Sequence, residues 1–406
     1  MGRREKEVGI IYPVLQRTKN IYHFLMALAA VAWYRWPARS LTLIGVTGTD
    51  GKTTTTTLIY HLLKLAGKKV AMVTSVAAYI GNEAIDTGFH VTSPDPWALQ
   101  RLLRRVADQG YQYMVLEVTS HGLDQYRILG CNFYLSVLTN ITHEHLDYHK
   151  TLGEYIKAKA RLFKLSRLSI LNRDAAVFGK IKQLLIGCTR IKTYSLKEPL
   201  DKIIMAAIDT TFPARYNQEN ALAAATVAVE LGLSPQIIAR GLRSFPGVPG
   251  RLEVVPNNQG LHVIIDFAHT PNGLKSVLTE LHRRLKRDKR LIAIFGAAGL
   301  RDHTKRPIMG QIAAQLADTV ILTAEDPRTE DVNDIISQVA SGAPKFAFHK
   351  LPDRQAAINY AIIEAAKPGD IVGIFGKGHE PTMCFGTTEY PWSDRQAALI
   401  ALAKRK

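Results

Sequence analysis

The sequence predicts an α/β protein built of two successive domains with parallel sheets, and three observations carry that expectation. From Leu41 onward, short apolar runs alternate with helical stretches, the pattern of strands covered by helices. A Pro/Gly-rich break, Phe245-Pro246-Gly247-Val248-Pro249-Gly250-Arg251, interrupts the alternation. The chain of 406 residues is also too long for one ordinary core. The expected divisions are a basic, apolar helical segment at 1–40, a central domain at 41–246 and a C-terminal domain at 247–406.

Leu41–Val46 reads as the first strand and Lys52–Leu65 as the helix after it. Val70–Thr74, Met114–Glu117 and Leu135–Thr139 read as further buried strands. Gln218–Leu231 is an Ala-rich helix closed by Gly232. Beyond the break, strands are expected at Val263–Asp266, Leu291–Phe295, Thr319–Thr323 and Asp370–Phe375, alternating with helices. That is a second doubly wound sheet of the Rossmann-like kind.

Composition narrows the class. With 47% apolar and 21% charged residues the chain is that of a globular protein. Cys131, Cys188 and Cys384 are odd in number and widely spaced, which points to a reducing cytosol rather than a disulfide framework or a zinc site. The net charge of +17 favours polyanionic partners: nucleotides, nucleic acid or an anionic membrane surface. The basic run Arg283–Arg290 reads as a solvated helix end and loop, and no nucleic-acid partner is expected.

The strongest local signal is Gly45-Val46-Thr47-Gly48-Thr49-Asp50-Gly51-Lys52-Thr53-Thr54, between a strand and a helix. Glycines let successive N–H groups turn inward on phosphates, the helix N-terminus adds its dipole, Lys52 adds charge and Thr53 suits Mg²⁺. Gly48, Thr49, Asp50, Gly51, Lys52, Thr53 and Thr54 are therefore expected to bind ATP, in a P-loop-type ATPase domain. The strict P-loop has glycine where Val46 stands. The variant form, Thr-Gly-Thr-x-Gly-Lys-Thr-Thr, resembles that of the Mur ligases and folylpolyglutamate synthases, with Asp50 in place of the usual Asn.

Further segments resemble the Mur ligases in order. Glu117-Val118-Thr119-Ser120-His121-Gly122-Leu123 is similar to the Glu-Val-Ser-Ser-His-Gly-Leu of the branch that adds the third residue of the peptidoglycan stem peptide. The resemblance implies that Glu117 ligates metal and that Thr119, Gln125 and Arg127 grip a muramyl dipeptide, with Thr92 and Ser93 in a substrate loop. Three histidines and two acids crowd His143–His149; a zinc site is the weaker reading there, since cysteine is lacking and the P-loop calls for Mg²⁺. By resemblance, His145 ligates a second Mg²⁺ and a carbamylated Lys159 supports the same ion. Lys52, Glu117, His145 and Lys159 would thus be the catalytic set, and Thr53, Glu117, His145 and Lys159 the metal set.

In the C-terminal half the resemblance places Asn217 and Asn220 at adenine, Arg251 and Asp266 at the hinge and ribose, and Lys305 on ATP phosphate when the domains close. Arg301 would meet the incoming amino acid. Glu325-Asp326-Pro327-Arg328 stands where the family has Asp-Asn-Pro-Arg. An arginine holds a carboxylate through two parallel hydrogen bonds, so Arg328 points to diaminopimelate over lysine. Glu325 and Asp326, by contrast, add a negative charge that would favour a cationic amine group. Gly376-Lys377-Gly378-His379-Glu380 matches the family's Gly-Lys-Gly-His-Glu, with Gly376 at the substrate and Glu380 receiving its ammonium.

These parts imply an ATP-dependent ligase that turns a carboxylate into an acyl phosphate, which an amine then attacks. ATP and two Mg²⁺ ions are the expected cofactors. A muramyl-peptide acceptor and a free diamino acid, diaminopimelate or lysine, are the expected substrates of a monomer. Forty residues precede Leu41, leaving no counterpart in this sequence to the family's uridine-diphosphate-binding domain. The stretch Asn172–Tyr216 is also shorter than the family's. A lipid-linked or folylpolyglutamate-type acceptor is thus the alternative within the class. A basic nucleic-acid-binding NTPase and an inactive scaffold are the alternatives outside it.

The N-terminus stays open between two readings. Ile21–Tyr34 holds no Lys, Arg, Asp or Glu and is flanked by Arg17, Lys19, Arg35 and Arg39. Fourteen residues fall short of the ~20 that a spanning helix needs. Export would part an ATP-using enzyme from its ATP, which discounts a signal peptide. What stands is a helix docked on the next domain, or a monotopic helix touching the inner membrane face through residues 17–39 of a cytoplasmic protein.

Overall fold

The computed structural model describes residues 20–405, apart from 77, 82, 86–93 and 143–145. Thr92, Ser93 and His145, expected at the substrate and metal sites, lie outside the described residues. The chain forms two compact units. The first runs to Ile141 and resumes at His149–Phe245; the second comprises Thr142–Tyr148 and everything from Pro246 onward.

The first unit is built on an eight-stranded sheet: β1 (Thr42–Thr47), β2 (Val70–Val73), β3 (Ala78–Ile80), β4 (Glu83–Ile85), β5 (Tyr113–Glu117), β6 (Phe133–Leu138), β7 (Ser166–Asn172) and β8 (Arg190–Tyr194). Their order is β4-β3-β2-β5-β1-β6-β7-β8. Every pair from β2 to β8 is parallel. Such strands are apolar on both faces because helices cover both. In β1, Ile44 and Val46 face the cluster under the helices Lys52–Leu65 and Arg215–Glu230, while Leu43 faces the opposite cluster with Leu99, Leu103 and Leu162. The alanines of Arg215–Glu230 allow that helix to lie close against Lys52–Leu65: Ala221, Ala223, Ala224, Ala225 and Ala228 are all buried.

The second unit carries β9 (Glu253–Val255), β10 (His262–Asp266), β11 (Leu291–Phe295), β12 (Thr319–Leu322), β13 (His349–Lys350) and β14 (Ile371–Phe375), in the order β13-β12-β11-β14-β10-β9. All pairs are parallel except β9 with β10. A separate hairpin joins β15 (Thr382–Phe385) to β16 (Thr388–Pro391). The α/β class and the parallel cores are those expected. The parallel strands β7, β8 and β13 and the antiparallel pieces β3, β4, β9, β15 and β16 were not; β4, β9 and β16, three or four residues long and largely exposed, carry no apolar run to read.

In the first unit the strand order reverses beside β1, and in the second the chain returns from the edge strand β13 to insert β14 between β11 and β10; ligands of such sheets gather at the C-terminal ends of the parallel strands. Most of the candidate residues sit at those ends. The basic run Arg283–Arg290 is largely occupied within its own unit. Arg283 and Arg284 pair with the buried Glu280, Lys289 donates to Pro368 O at 2.8 Å, and Arg290 pairs with Asp370 at 2.9 Å.

Candidate active site

In the first unit the chain leaves β1 through Gly48-Thr49-Asp50-Gly51 and enters the helix Lys52–Leu65. Gly51 takes φ 79°, and a Cβ there would fall 2.2 Å from Asn220 Oδ1, so only glycine fits the turn and the neighbour together. Asn140, just beyond β6, pins the loop. Its Oδ1 accepts from Asp50 N at 2.9 Å and Thr49 N at 3.2 Å, and its carbonyl accepts from Thr49 N at 2.9 Å. Lys52 Nζ folds back to donate to Thr49 O at 2.8 Å. Thr54 follows on the first helical turn, half-buried.

Three oxygen donors meet beside this loop. Thr53 Oγ1 lies 3.0 Å from Glu117 Oε2 and 3.0 Å from Ser75 Oγ, and Ser75 N donates to the same carboxylate oxygen at 3.1 Å. They come from the helix after β1, the end of β5 and the end of β2, so the sheet itself holds them in place. An all-oxygen set of one carboxylate and two hydroxyls suits a hard divalent cation such as Mg²⁺, which keeps waters and phosphate oxygens for its remaining positions.

Lys159, on the helix Leu152–Lys164, is 1% exposed. Its Nζ donates to Gly48 O at 2.6 Å, lies 3.5 Å from Thr47 Oγ1 and sits 4.7 Å from the Tyr155 ring centroid. No carboxylate of the described residues stands within ion-pair reach. Burial first, and repulsion from Lys52 second, hold its pKa well below the ordinary lysine value, against the pull of Asp50 and Glu117. Lys159 is thus a buried amine at the root of the phosphate loop, holding its proton less tightly than an ordinary lysine.

Asn220 accepts from Thr55 Oγ1 at 3.3 Å and donates to Asn217 Oδ1 at 3.4 Å, which sets both asparagines against the base of the same loop. Thr119 caps the short helix after β5 by accepting from Gly122 N at 3.1 Å. Gln125 Oε1 accepts from Arg127 Nε at 3.0 Å and Nη2 at 2.7 Å, holding that guanidinium flat.

The second unit gathers its own residues. Asp266, ending β10, accepts from Leu252 N at 2.7 Å and Ala268 N at 2.9 Å, and the Arg251 guanidinium stacks 4.3 Å over the Phe267 ring. Lys305 is buried at the start of the helix Lys305–Leu316 and donates to His269 O at 2.9 Å. Pro327 and Arg328 abut the loop after β11: Arg328 Nη1 donates to Gly299 O at 2.5 Å, and Gly299 N donates to Asp326 O at 2.9 Å. Arg301 stands exposed on that same loop. Lys377 joins Asp326 at 2.8 Å and Glu380 at 2.6 Å, while Gly376 packs against the Glu325 carboxyl.

Comparison with known proteins decides the lineage. The Mur ligase middle domain matches residues 46–228, and the Mur ligase glutamate ligase domain matches residues 250–378. The chain belongs to the Mur ligase family. A UDP-N-acetylmuramoyl-L-alanyl-D-glutamate--2,6-diaminopimelate ligase of Geobacillus thermodenitrificans is 36% identical over 413 aligned positions, covering 94% of this chain and 83% of the relative. A solved structure bearing the same enzyme title is 32% identical, with a TM-score of 0.57 over 89% of this chain and 78% of that one. A folylpolyglutamate synthase of Mycobacterium tuberculosis superposes with TM-score 0.69 at 18% identity, over 87% and 92% of the two chains, a likeness of fold alone.

Within this Mur ligase, four contributors escaped sequence reasoning. Ser75 and Asn140 follow β2 and β6, and the rule that ligands gather at the ends of strands flanking a P-loop strand would have found both. Lys377 lay inside a quoted motif, yet its pairing depends on folding. Arg354 had no signal at all. It is fully buried, bidentate to Asp394 at 2.8 Å, and donates to Ala324 O at 3.1 Å and Phe375 O at 2.8 Å. One guanidinium thereby ties the chain after β12 to the end of β14.

The negative charge that Glu325 and Asp326 bring in sequence is not presented to a ligand. Asp326 is matched by Lys377, whose pKa stays above the ordinary lysine value because Glu380 and Asp326 outweigh its burial. Burial pushes the Glu325 carboxyl up to about 8, against the pull of Arg354, Lys305 and Lys377. An unfolded glutamate titrates near ~4.3. With the folded value above the unfolded one, the contribution of Glu325 to stability is full below the unfolded pKa and is lost as pH rises to about 8. Glu325→Gln cannot ionise. Its stability relative to the unsubstituted chain is expected to grow by roughly 1.4 kcal/mol per pH unit across that window and to level off above it. Denaturant titrations at stepped pH measure this, and a pH-independent difference would mean that the folded carboxyl is ionised.

Proposed function

We propose that this chain is an ATP-dependent amide ligase that joins a diamino acid to the D-glutamyl carboxylate of a muramyl-L-Ala-D-Glu peptidoglycan precursor. Kinship supports the reaction class, and the buried Lys159 amine against Gly48 O is the observation that carries the reading to this chain's own residues. A carboxylate is a poor acyl donor. Transfer of the γ-phosphoryl group of ATP makes it an acyl phosphate; the amine attacks, a proton is lost and phosphate leaves.

Both steps concentrate negative charge, which Lys52 and the N–H groups of Gly51–Thr54 at the helix N-terminus would stabilise. Thr53, Glu117 and Ser75 would hold a first Mg²⁺, and Lys159 with His145 a second. When bound, magnesium supplies positive charge against the phosphate oxygens. A neutral lysine adds to carbon dioxide through a new N–C bond with loss of a proton, and the resulting carbamate is an oxygen ligand. Asn217, Asn220, Arg251, Asp266 and Lys305 would hold the nucleotide; Thr119, Gln125 and Arg127, with Thr92 and Ser93, the acceptor.

For the amine, Arg301, Glu325, Asp326, Pro327, Arg328, Gly376 and Glu380 are the proposed contacts. The ion pair at Asp326 and the raised pKa of the buried Glu325 carboxyl weaken the argument for a cationic side chain. Arg328 then favours the distal carboxylate of diaminopimelate over lysine.

The test is phosphate release and product mass with purified chain, Mg²⁺ and ATP. UDP-linked and lipid-linked muramyl dipeptide are crossed with diaminopimelate, lysine and ornithine. Release is expected only with acceptor and amine together, fastest with diaminopimelate. If no pair stimulates release and no product forms, the reading is lost.

A further inference from the structure

Residues 20–33 form a helix that packs on the first unit by a narrow side only. Ala27, Ala30 and Val31 are buried, and Val31 fits where a Cβ on Gly130, at φ 81°, would fall 2.7 Å away. Trp36 Nε1 donates to Gly130 O at 2.7 Å, and the Phe24 ring stands edge-on to Tyr126 at 5.4 Å. The rest of the helix is apolar and bare. Ile21, Tyr22, Leu25, Leu28 and Trp33 are all exposed, Leu25 at 57% and Trp33 at 74%. At helical spacing, with Phe24, they sweep about half the circumference as one convex face.

We infer that this helix seats the protein on an anionic lipid surface. Charge says what covers the face: from Val8 to Thr49 the sequence has Arg17, Lys19, Arg35 and Arg39 and no Asp or Glu. Exposed Arg35 and Arg39 follow the helix directly, and the chain as a whole carries +17. Tyrosine and tryptophan beside arginines are the residues that settle at headgroup depth. Dimensions say that the helix lies on the bilayer. Its 14 described residues span about 21 Å, against a hydrocarbon core of roughly 30 Å, and the stretch Ile21–Tyr34, which lacks Lys, Arg, Asp and Glu, is bounded by Lys19 and Arg35. No helix of the described residues is long and apolar enough to cross a membrane. A convex face of large side chains also suits a fluid surface better than a grooved protein partner.

This inference does not depend on the proposed reaction. The full chain is sedimented with vesicles of phosphatidylcholine alone and of phosphatidylcholine with phosphatidylglycerol. Binding is expected to the anionic vesicles, weakening with salt, with a blue shift of tryptophan emission. Leu25→Gln with Leu28→Gln changes only exposed positions, so the melting temperature should hold while vesicle binding falls by roughly ten-fold or more. Arg35→Gln with Arg39→Gln should reduce the preference for anionic lipid. Native chain left in the supernatant with both vesicles overturns the inference. So does unchanged binding by the leucine variant, or a native dimer that this variant makes monomeric while neither form binds vesicles.

Discussion

Lys159→Ala is expected to lower ligation by roughly a thousand-fold or more, the scale on which removing a stabiliser of transition-state charge acts. Added bicarbonate should not restore it, because the missing part is the amine that would capture carbon dioxide. The same position separates chemistry from folding. Burial holds the Lys159 pKa well below the ordinary lysine value, whereas the unfolded lysine is charged at neutral pH. A depressed folded pKa contributes stability that is present above the unfolded pKa and lost as pH falls through the folded one. Lys159→Met fills the volume without a charge, so its stability should gain on that of the unsubstituted chain as pH falls, while ligation stays abolished. A carbon-13 carbamate resonance in the native chain, absent from both variants, reads the proposed modification directly. Native rates in Lys159→Ala would sink the carbamate assignment.

The second large effect concerns Arg354. Its partner Asp394 is 0% exposed, and the pair is closed by Trp392 Nε1 on Asp394 Oδ1 at 2.8 Å. Removing one member leaves the other charge buried and unmatched, at a cost of about 3–5 kcal/mol. Arg354→Leu also orphans the carbonyls of Ala324 and Phe375. Asp394→Leu leaves a bare guanidinium beside Glu325, and each single variant should unfold at markedly lower urea. The double variant Arg354→Met with Asp394→Leu should recover much of the loss, since a well-packed apolar pair replaces buried ions at small cost. Additive losses in the double variant would show that the two residues act separately.

What could be read in advance follows how local each signal is. Leu291–Phe295 and Val263–Asp266 announce buried parallel strands because both faces need apolar side chains, so the run is unbroken. Edge strands such as Glu83–Ile85 answer to one neighbour and to solvent, which leaves no pattern. The phosphate loop is legible because one short stretch holds its glycines, lysine and threonines. Its supports are less so: Ser75 and Asn140 are marked only by their place after β2 and β6, and the contact of Asn220 with the loop comes only with folding. Lys159 by composition is a solvated helical lysine; only the fold buries it and lowers its pKa. Asp326 shows the opposite failure. Its charge is plain in the sequence, while the lysine that cancels it stands 51 residues away.

The contact of Asn220 with the phosphate loop bears on how the protein is made. Thr55 and Asn220 are 165 residues apart, so the loop's last support is among the final pieces of its unit to be synthesised. At cellular elongation rates the nascent loop waits roughly 10–30 s for that asparagine. The contact raises the contact order of the unit and places completion of the nucleotide cradle late in folding. On the proposed assignment of this loop to ATP, nucleotide affinity belongs to the finished unit, and ATP would stabilise only chains folded through to Asn220.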